Sequence, residues 1–398
     1  MVDPDHHDVL VVGGGNAGTS LAAKLLRDDF GDVAVVESRA VHRYRPLLNY
    51  VGGGEATMAD LERPAERVVP DGCTAIRDEV VAVSLDGPRG PAVLTASGRR
   101  IGCSTLVVCP GLDEDWDATP GLREAYAAGW AGSTFDDDTA SGVWPALRDL
   151  RAGRVVFTVP PEPAPCGATA LKPLFMACDH WRRAGVLDAI DLHLVLPGAA
   201  PLGLPGPDAR LETLLASYGV EVHREAQVAS LGARSVVLRT AAGEKVLDDL
   251  AHAHVVPHYR APGWVVDGGL AGKHPAGLVD VDPLTLRHRR HRDVWSLGDV
   301  ADLGTRPSGG ALRKQVAVLA ANLAAARSGR ELQHYDGYTV MPITTSRRRL
   351  MLVEVDRDGR PQPSVPWIDL TKPRAVTWWV DRYALPQVYW RRILRGRV

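Results

Sequence analysis

The sequence predicts an α/β protein of the doubly wound type, and three observations carry that expectation. A short apolar strand over 9–12 runs directly into Gly13-x-Gly15-x-x-Gly18 and then into an Ala/Leu-rich helix. A second strand, 33–36, ends at Glu37, which lies 19 residues after Gly18. Short β-branched strands then alternate with helical stretches as far as a late strand that ends in Gly298-Asp299. Alternation of this kind builds parallel sheets with helices on their faces. At 398 residues the chain is long enough for two or three domains and a sizeable core.

The opening βαβ segment carries the dinucleotide-binding fingerprint in its full context. Gly13 permits the tight turn, Gly15 lets the backbone approach a pyrophosphate, and Gly18 lets the helix pack on the strand. Asn16 and Ala17 complete the loop. The helix start offers unpaired N–H groups and a partial positive charge to phosphates. Glu37 is placed to accept hydrogen bonds from a ribose diol. A chance glycine-rich turn would not bring strand, helix and acid together at this spacing.

Composition excludes several classes. The formal net charge is −2, so no broad basic field points to nucleic acid. The opening residues are acidic and lack the basic and apolar regions of a signal peptide. No stretch approaches ~18 uninterrupted apolar residues, as a spanning helix requires. The five cysteines (Cys73, Cys103, Cys109, Cys166 and Cys178) show no CxxC or metal spacing. That usage fits a reducing cytoplasm, where a disulfide would be catalytic rather than structural.

The elements fall into units. In the first, strands are expected near 75–76, 80–85, 93–94 and 105–109, separated by Gly/Pro turns. Cys109 ends a buried strand and reads as packing, whereas Cys73 and Cys103 precede strands. A middle unit begins near 143, with a strand over 154–159, a helix over 169–184, a strand over 192–196, a helix over 210–218, a strand over 220–222 and a hairpin from 235–240 to 244–247. A third unit returns near 255 and holds strands at 278–281 and 293–299, then a helix over 309–326. The tail has a strand near 350–355 and an aromatic end. There is no internal repeat or low-complexity run.

The late strand adds a second nucleotide signal. It resembles the segment that closes the FAD site in flavoproteins like the disulfide reductases, where the acid corresponding to Asp299 accepts a hydrogen bond from the ribityl chain. Ser308-Gly309-Gly310 then opens a helix whose N-terminus can stabilise negative charge on a reduced flavin. Lys314 and Gln315 fall in its first turns as candidates for contact with the ring, the plain alternative for Lys314 being a solvated helix face. The strand over 154–159 leads instead into Pro160-Pro161-Glu162-Pro163-Ala164-Pro165-Cys166-Gly167. No second glycine fingerprint appears, and prolines remove backbone donors that a pyrophosphate needs. This argues against a nicotinamide cofactor and for a different electron donor.

At this point the chain resembles the sulfide:quinone oxidoreductases, above all the mitochondrial type and its bacterial relatives. The resemblance rests on 277–299, on Tyr335-Asp336-Gly337-Tyr338-Thr339, on Leu385-Pro386-Gln387-Val388-Tyr389-Trp390 with Leu394-Arg395-Gly396, and on His42-x-Tyr44-x-x-Leu47 with Val51-Gly52-Gly53-Gly54. It covers nearly the whole chain. It implies two Rossmann-like domains of the FAD/NAD(P)-binding type and a C-terminal membrane-contacting or interface region. The divisions expected are 1–110 with 255–330 for FAD, 111–254 for the second domain and 331–398 for the C-terminal region. It further implies FAD as cofactor, a sulfide or other soft small-molecule donor, and quinone or dioxygen as acceptor.

The resemblance also implies two redox cysteines facing the flavin. Cys166 matches the first and becomes the expected nucleophile, its thiolate favoured by the helix start and Lys172. The second follows the Tyr-Asp-Gly-Tyr-Thr motif by two positions, where this chain has Met341, and a thioether cannot form a disulfide. Cys178 falls inside the predicted helix that Cys166 precedes, roughly 12–15 Å along its axis from the helix start, beyond the ~7 Å between Cα atoms that a disulfide permits. The plain alternative for Cys166 is an inert thiol.

Residues 377–395 mix Trp, Tyr and Leu with Arg, which suits a lipid headgroup layer. The alternative is an aromatic segment packed on the core or on a second copy in a homodimer. The expected localisation is cytoplasmic, peripheral at the inner face of the cell membrane if the tail meets lipid. Two other functions stay open: an FAD-dependent dehydrogenase or oxidase of specialised metabolism acting on an organic substrate, and a non-catalytic flavin-bound sensor or partner.

Overall fold

The computed structural model describes residues 5–87 and 89–397. Two parallel sheets carry the architecture. In the first, Thr74–Ile76, Val33–Val36, His6–Val12 and Arg100–Val108 lie side by side in parallel, and Val294–Ser296 adds to the far end of the long Arg100–Val108 strand. The antiparallel strands Ala92–Thr95 and Val80–Ser84 extend the near end of the same sheet. Val9 to Val12 are buried on both faces, as a central parallel strand between helices requires.

The register decides function. Val12 pairs with Val36 and Val108, Val36 with Ile76, and Ser296 with Val108. The carboxyl ends of five strands therefore stop at one level. The glycine loop, Glu37, Cys109 and Gly298-Asp299 all emerge at that edge, where ligands bind in open α/β sheets.

The second sheet is also parallel, in the order Ala131–Gly132, Leu250–His254, Gly153–Thr158, Ile190–Val195 and Glu221–His223. A three-stranded antiparallel sheet of Gln227–Leu231, Val236–Thr240 and Gly243–Leu247 stands beside it. The hairpin Thr339–Ser346 with Arg349–Val355 lays Met341, Ile343, Met351 and Val353 against Leu171, Leu174 and Phe175. Those three sit on the helix Leu171–Arg183 of the second unit. The chain ends in Ala375–Trp379, one π-helical turn Val380–Ala384, and Leu385–Arg391.

Several local expectations shift. Residues 278–281 form only isolated bridges, because Val279 and Val281 pair singly with Ala271, Ala301 and His288. Val143 lies inside the helix Ala140–Arg148, and the second sheet already begins at Ala131. Cys103 lies within Arg100–Val108, in register with His7, rather than before a strand. The helix expected over 309–326 is Leu312–Arg327, with the Ser308 hydroxyl accepting from the Ala311 N–H. The helix expected over 210–218 starts earlier, as Pro205–Ser217, with proline in its first turn, where a missing N–H costs nothing. Thr339–Ser346 was not expected as a strand, since Pro342 breaks its pattern; the structure tolerates it in a two-stranded ribbon.

Candidate functional site

The glycine loop is held in place by backbone. Gly13 has φ +105° and donates its N–H to Val36 O at 2.9 Å. A Cβ on Gly13 would come within 2.4 Å of Cys109 O, and one on Gly18 within 1.9 Å of Gly13 O. Both glycines are demanded by packing. Gly15 is different, because a Cβ there would meet nothing within 4 Å. It faces open space at the start of the helix Asn16–Arg27, and no side chain caps that start. Uncapped amides beneath an open glycine suit a pyrophosphate.

These contrasts make a prediction. Gly18→Ala is expected to fail to fold or to melt far below the parent, whereas Gly15→Ala is expected to fold and lose FAD affinity by at least about tenfold, because only the ligand would meet its methyl. Melting curves and FAD titration of the apoprotein would separate the two. Equal FAD affinity in Gly15→Ala and parent would exclude close approach at this loop.

Glu37 is turned onto the loop. Oε2 accepts from Gly14 N and Oε1 from Arg39 N, each at 2.8 Å. From the far side, Gly298 (φ +80°) brings its Cα against Ala17, where a Cβ would sit 3.3 Å from that of Ala17. Asn16 Nδ2 reaches Gly309 O at 3.5 Å. The first fingerprint, the Gly-Asp turn and the Ser308-Gly309-Gly310 turn thus form one site. Buried Gln315 braces it, accepting from Gly298 N at 2.9 Å and donating to Tyr335 OH at 3.4 Å. Lys314 leans outward to Asp336 at 2.6 Å and lies over the Tyr338 ring.

Asp299 is surrounded by protein yet keeps solvent access, and its carboxylate makes no hydrogen bond among the described residues. Burial pushes its pKa up to about 6, opposed by the charge of Arg45. An enclosed acid without donors, lining an opening at the strand ends, fits a polyol chain that brings hydroxyls. Donors to the carboxylate favour its charged form and lower its pKa. FAD binding should therefore release a proton from Asp299. Affinity is expected to rise as pH climbs through about 6 and to level off above it, while Asp299→Asn should flatten the profile. FAD titrations at pH 5 and pH 7.5 check both.

Cys166 sits where the charge of Asp299 reaches its thiol. It is a non-glycine residue in the left-handed region (φ 55°, ψ 50°), entering the 3-10 turn Gly167–Ala170 that leads into Leu171–Arg183. Strain of this kind persists where the surroundings enforce it. Its carbonyl accepts from Thr169 N and Oγ1 at 2.9 Å, and its Sγ approaches Val340 O at 3.9 Å. The expected thiolate is not found. Burial foremost, then the charges of Asp299, Glu162 and Asp381, push the thiol up to about 12, against the opposing effect of Lys172. Lys172 is itself committed to Asp381 at 2.8 Å.

Met341 is buried among Leu171 and Ile343, with Sδ 3.6 Å from Arg306 Nη1. All five cysteines are free. Cys178 and Cys103 are core residues, and Cys109 packs under the glycine loop, its Sγ 3.1 Å from a Cβ built on Gly18.

Several residues at the site escaped sequence reasoning. Glu162, inside the proline loop, keeps 43% of its side chain exposed, although the protein packed around it raises its pKa, and Arg306 lies 3.8 Å away. Tyr50 donates to Asp381 at 2.6 Å, and Lys172 lies 4.8 Å over its ring. That buried triad joins the early segment, the Cys166 helix and the tail, which are too far apart in sequence for any local pattern to link. The tail packs Trp378, Tyr389 and Leu394 inward with Tyr44, Leu47 and Leu61. Val376, Trp379, Val380, Tyr383 and Leu385 stay exposed on it. Among the described residues no helix is long and apolar enough to cross a membrane.

No protein-family model matches the chain. The mitochondrial sulfide:quinone oxidoreductase of Dictyostelium discoideum is 31% identical over 397 residues, spanning 98% of this chain and 86% of that protein. Among solved structures, the sulfide:quinone oxidoreductase of Aquifex aeolicus superposes with a TM-score of 0.82 at 16% identity, over 98% of this chain and 92% of the other. A chain of the Tetrahymena thermophila mitochondrial ATP synthase gives 0.84 at 21% identity, over 100% and 98%. The two structural matches speak for the fold alone.

Proposed function

The chain belongs to the sulfide:quinone oxidoreductase family of FAD-dependent oxidoreductases, and from that premise we propose that it takes two electrons from sulfide and delivers them to a membrane quinone. One observation carries the reading: the Cys166 thiol and the Asp299 carboxylate are enclosed, accessible, and close enough for the charge of Asp299 to act on the thiol.

FAD, when bound, supplies the two-electron acceptor. Gly13 to Gly18, Glu37, Gly298 and Asp299 would hold it. The chain's own contribution is the part-buried Cys166 sulfur. Joining a sulfide sulfur to Sγ releases two electrons, which FAD when bound would accept, together with the Sγ proton of the protonated thiol. Glu162, Asp299 and Asp381 are the carboxylates whose fields reach that sulfur, and the first two have raised pKa values that suit proton transfer. Glu162, with Arg306 beside it and without the polyol role of Asp299, is the proposed proton acceptor. The exposed apolar and aromatic residues of the tail, with Arg391 and Arg395 close by, favour a peripheral seat on lipid, which gives a lipophilic quinone a short path.

Anaerobic mixing with sulfide should bleach the oxidised flavin band, and added decylubiquinone should restore it. A band that stays oxidised at high sulfide would overturn the donor. Met341 favours a second reading in that event, because the family's second cysteine is replaced by a buried thioether. An organic donor would then reduce the flavin without persulfide chemistry.

A further inference from the structure

On the second sheet, adjacent strands Ile190–Val195 and Glu221–His223 gather side chains that the redox reaction does not use. Glu221–His223 is the edge strand. His193 is in register with Glu221, and the two-residue period puts Asp191 and His223 on the same face. His193 Nδ1 lies 3.0 Å from His223 Nε2 and 3.6 Å from Glu221 Oε2, while His223 Nε2 lies 3.6 Å from Glu221 Oε1. The ligand atoms of a tetrahedral zinc ion, at bonds of ~2.0–2.2 Å, stand roughly 3.3–3.5 Å apart. The three side chains offer ligand atoms within 4.8 Å of one another, so modest side-chain rotation would seat the ion.

The surroundings point the same way. His193 is 3% exposed, and its Nε2 has no aligned hydrogen-bond partner among the described residues, although Asp191 Oδ1 lies 3.2 Å away. A carboxylate behind the distal nitrogen is the usual support of a metal-ligating histidine, freeing Nδ1 to bind. Lys245 holds Glu221 Oε1 at 2.9 Å and leaves Oε2 to an ion, and Arg154 holds Asp191 Oδ2 at 2.7 Å. Glu221 is half exposed and gives access from solvent. Two imidazoles and one carboxylate select a zinc-like ion over calcium or magnesium.

We propose that His193, His223 and Glu221 bind one zinc-class divalent ion that ties the edge strand to the second sheet, with Asp191 orienting His193. The site shares no residue with the flavin cleft. The test uses EDTA-stripped, FAD-loaded protein, titrated with Zn²⁺ by calorimetry and with Co²⁺ by visible absorption. One ion per chain is expected, with tetrahedral Co²⁺ bands and no thiolate charge-transfer band. His223→Gln and Glu221→Gln should each abolish the bands while the flavin spectrum is retained. Asp191→Asn should weaken binding about 10–100-fold, and Lys245→Gln should tighten it by removing a competing cation. Absence of stoichiometric uptake by the parent, or undiminished uptake in both His223→Gln and Glu221→Gln, overturns the site.

Discussion

Replacing Cys166 with serine is expected to cut sulfide-driven flavin reduction by about a thousandfold or more while leaving FAD content unchanged. A hydroxyl at this position can accept the same strained backbone but cannot carry a second sulfur. Serine keeps the hydrogen bonds from Thr169, which go to the Cys166 carbonyl rather than to its side chain. The loss should therefore be chemical and not structural. Cys73→Ser is the matched control, since Cys73 precedes the edge strand of the first sheet, at the end away from the site, with its thiol 3.8 Å from the Thr74 carbonyl. Stopped-flow reduction under anaerobic sulfide reads both variants. An unchanged rate in Cys166→Ser would remove sulfur nucleophilicity from the mechanism and return the organic-donor reading to first place.

Breaking the Lys172–Asp381 pair should have a large structural effect. Its side chains are 1% and 6% exposed. Removing one partner leaves the other buried and uncompensated, which costs about 3–5 kcal/mol. Lys172→Met is expected to lower the melting temperature by several degrees and to make the C-terminal segment sensitive to trypsin, because Asp381 would then be driven out toward water. Asp381→Leu should do the same from the other side. The double variant should recover most of the loss, since an apolar pair needs no compensation. If Lys172→Met melts with the parent, the pair does not anchor the tail. The consequence reaches the site through Tyr50 and through the Leu171–Arg183 helix that Cys166 precedes.

Much of the first sheet was legible because its signals are local. Gly13, Gly15 and Gly18 follow a β-branched strand at fixed spacing; packing demands Gly13 and Gly18, and Gly15 faces space left open to a ligand. Gly298-Asp299 was legible for the same reason. The hairpin over 236–247 showed through its period of two and its turn residues. The bridges around 278–281 did not, because an apolar run looks like a strand whether or not a partner lies beside it.

The chemical state of the site was not legible. Helix start and Lys172, read along the chain, predicted a thiolate at Cys166. In the fold Lys172 pairs with an acid 209 residues away, and burial, with the charges of Asp299, Glu162 and Asp381, outweighs its pull on the thiol. By itself the sequence determined the α/β architecture, the dinucleotide loop and which cysteine heads the second-unit helix, since those depend on neighbours a few residues apart. Only the tertiary structure decided the protonation of Cys166, the isolation of Asp299, the anchoring of the tail and the meeting of His193 with His223. Each of these depends on burial and on charges that segments distant in the chain bring within a few ångströms, where the low dielectric makes them strong.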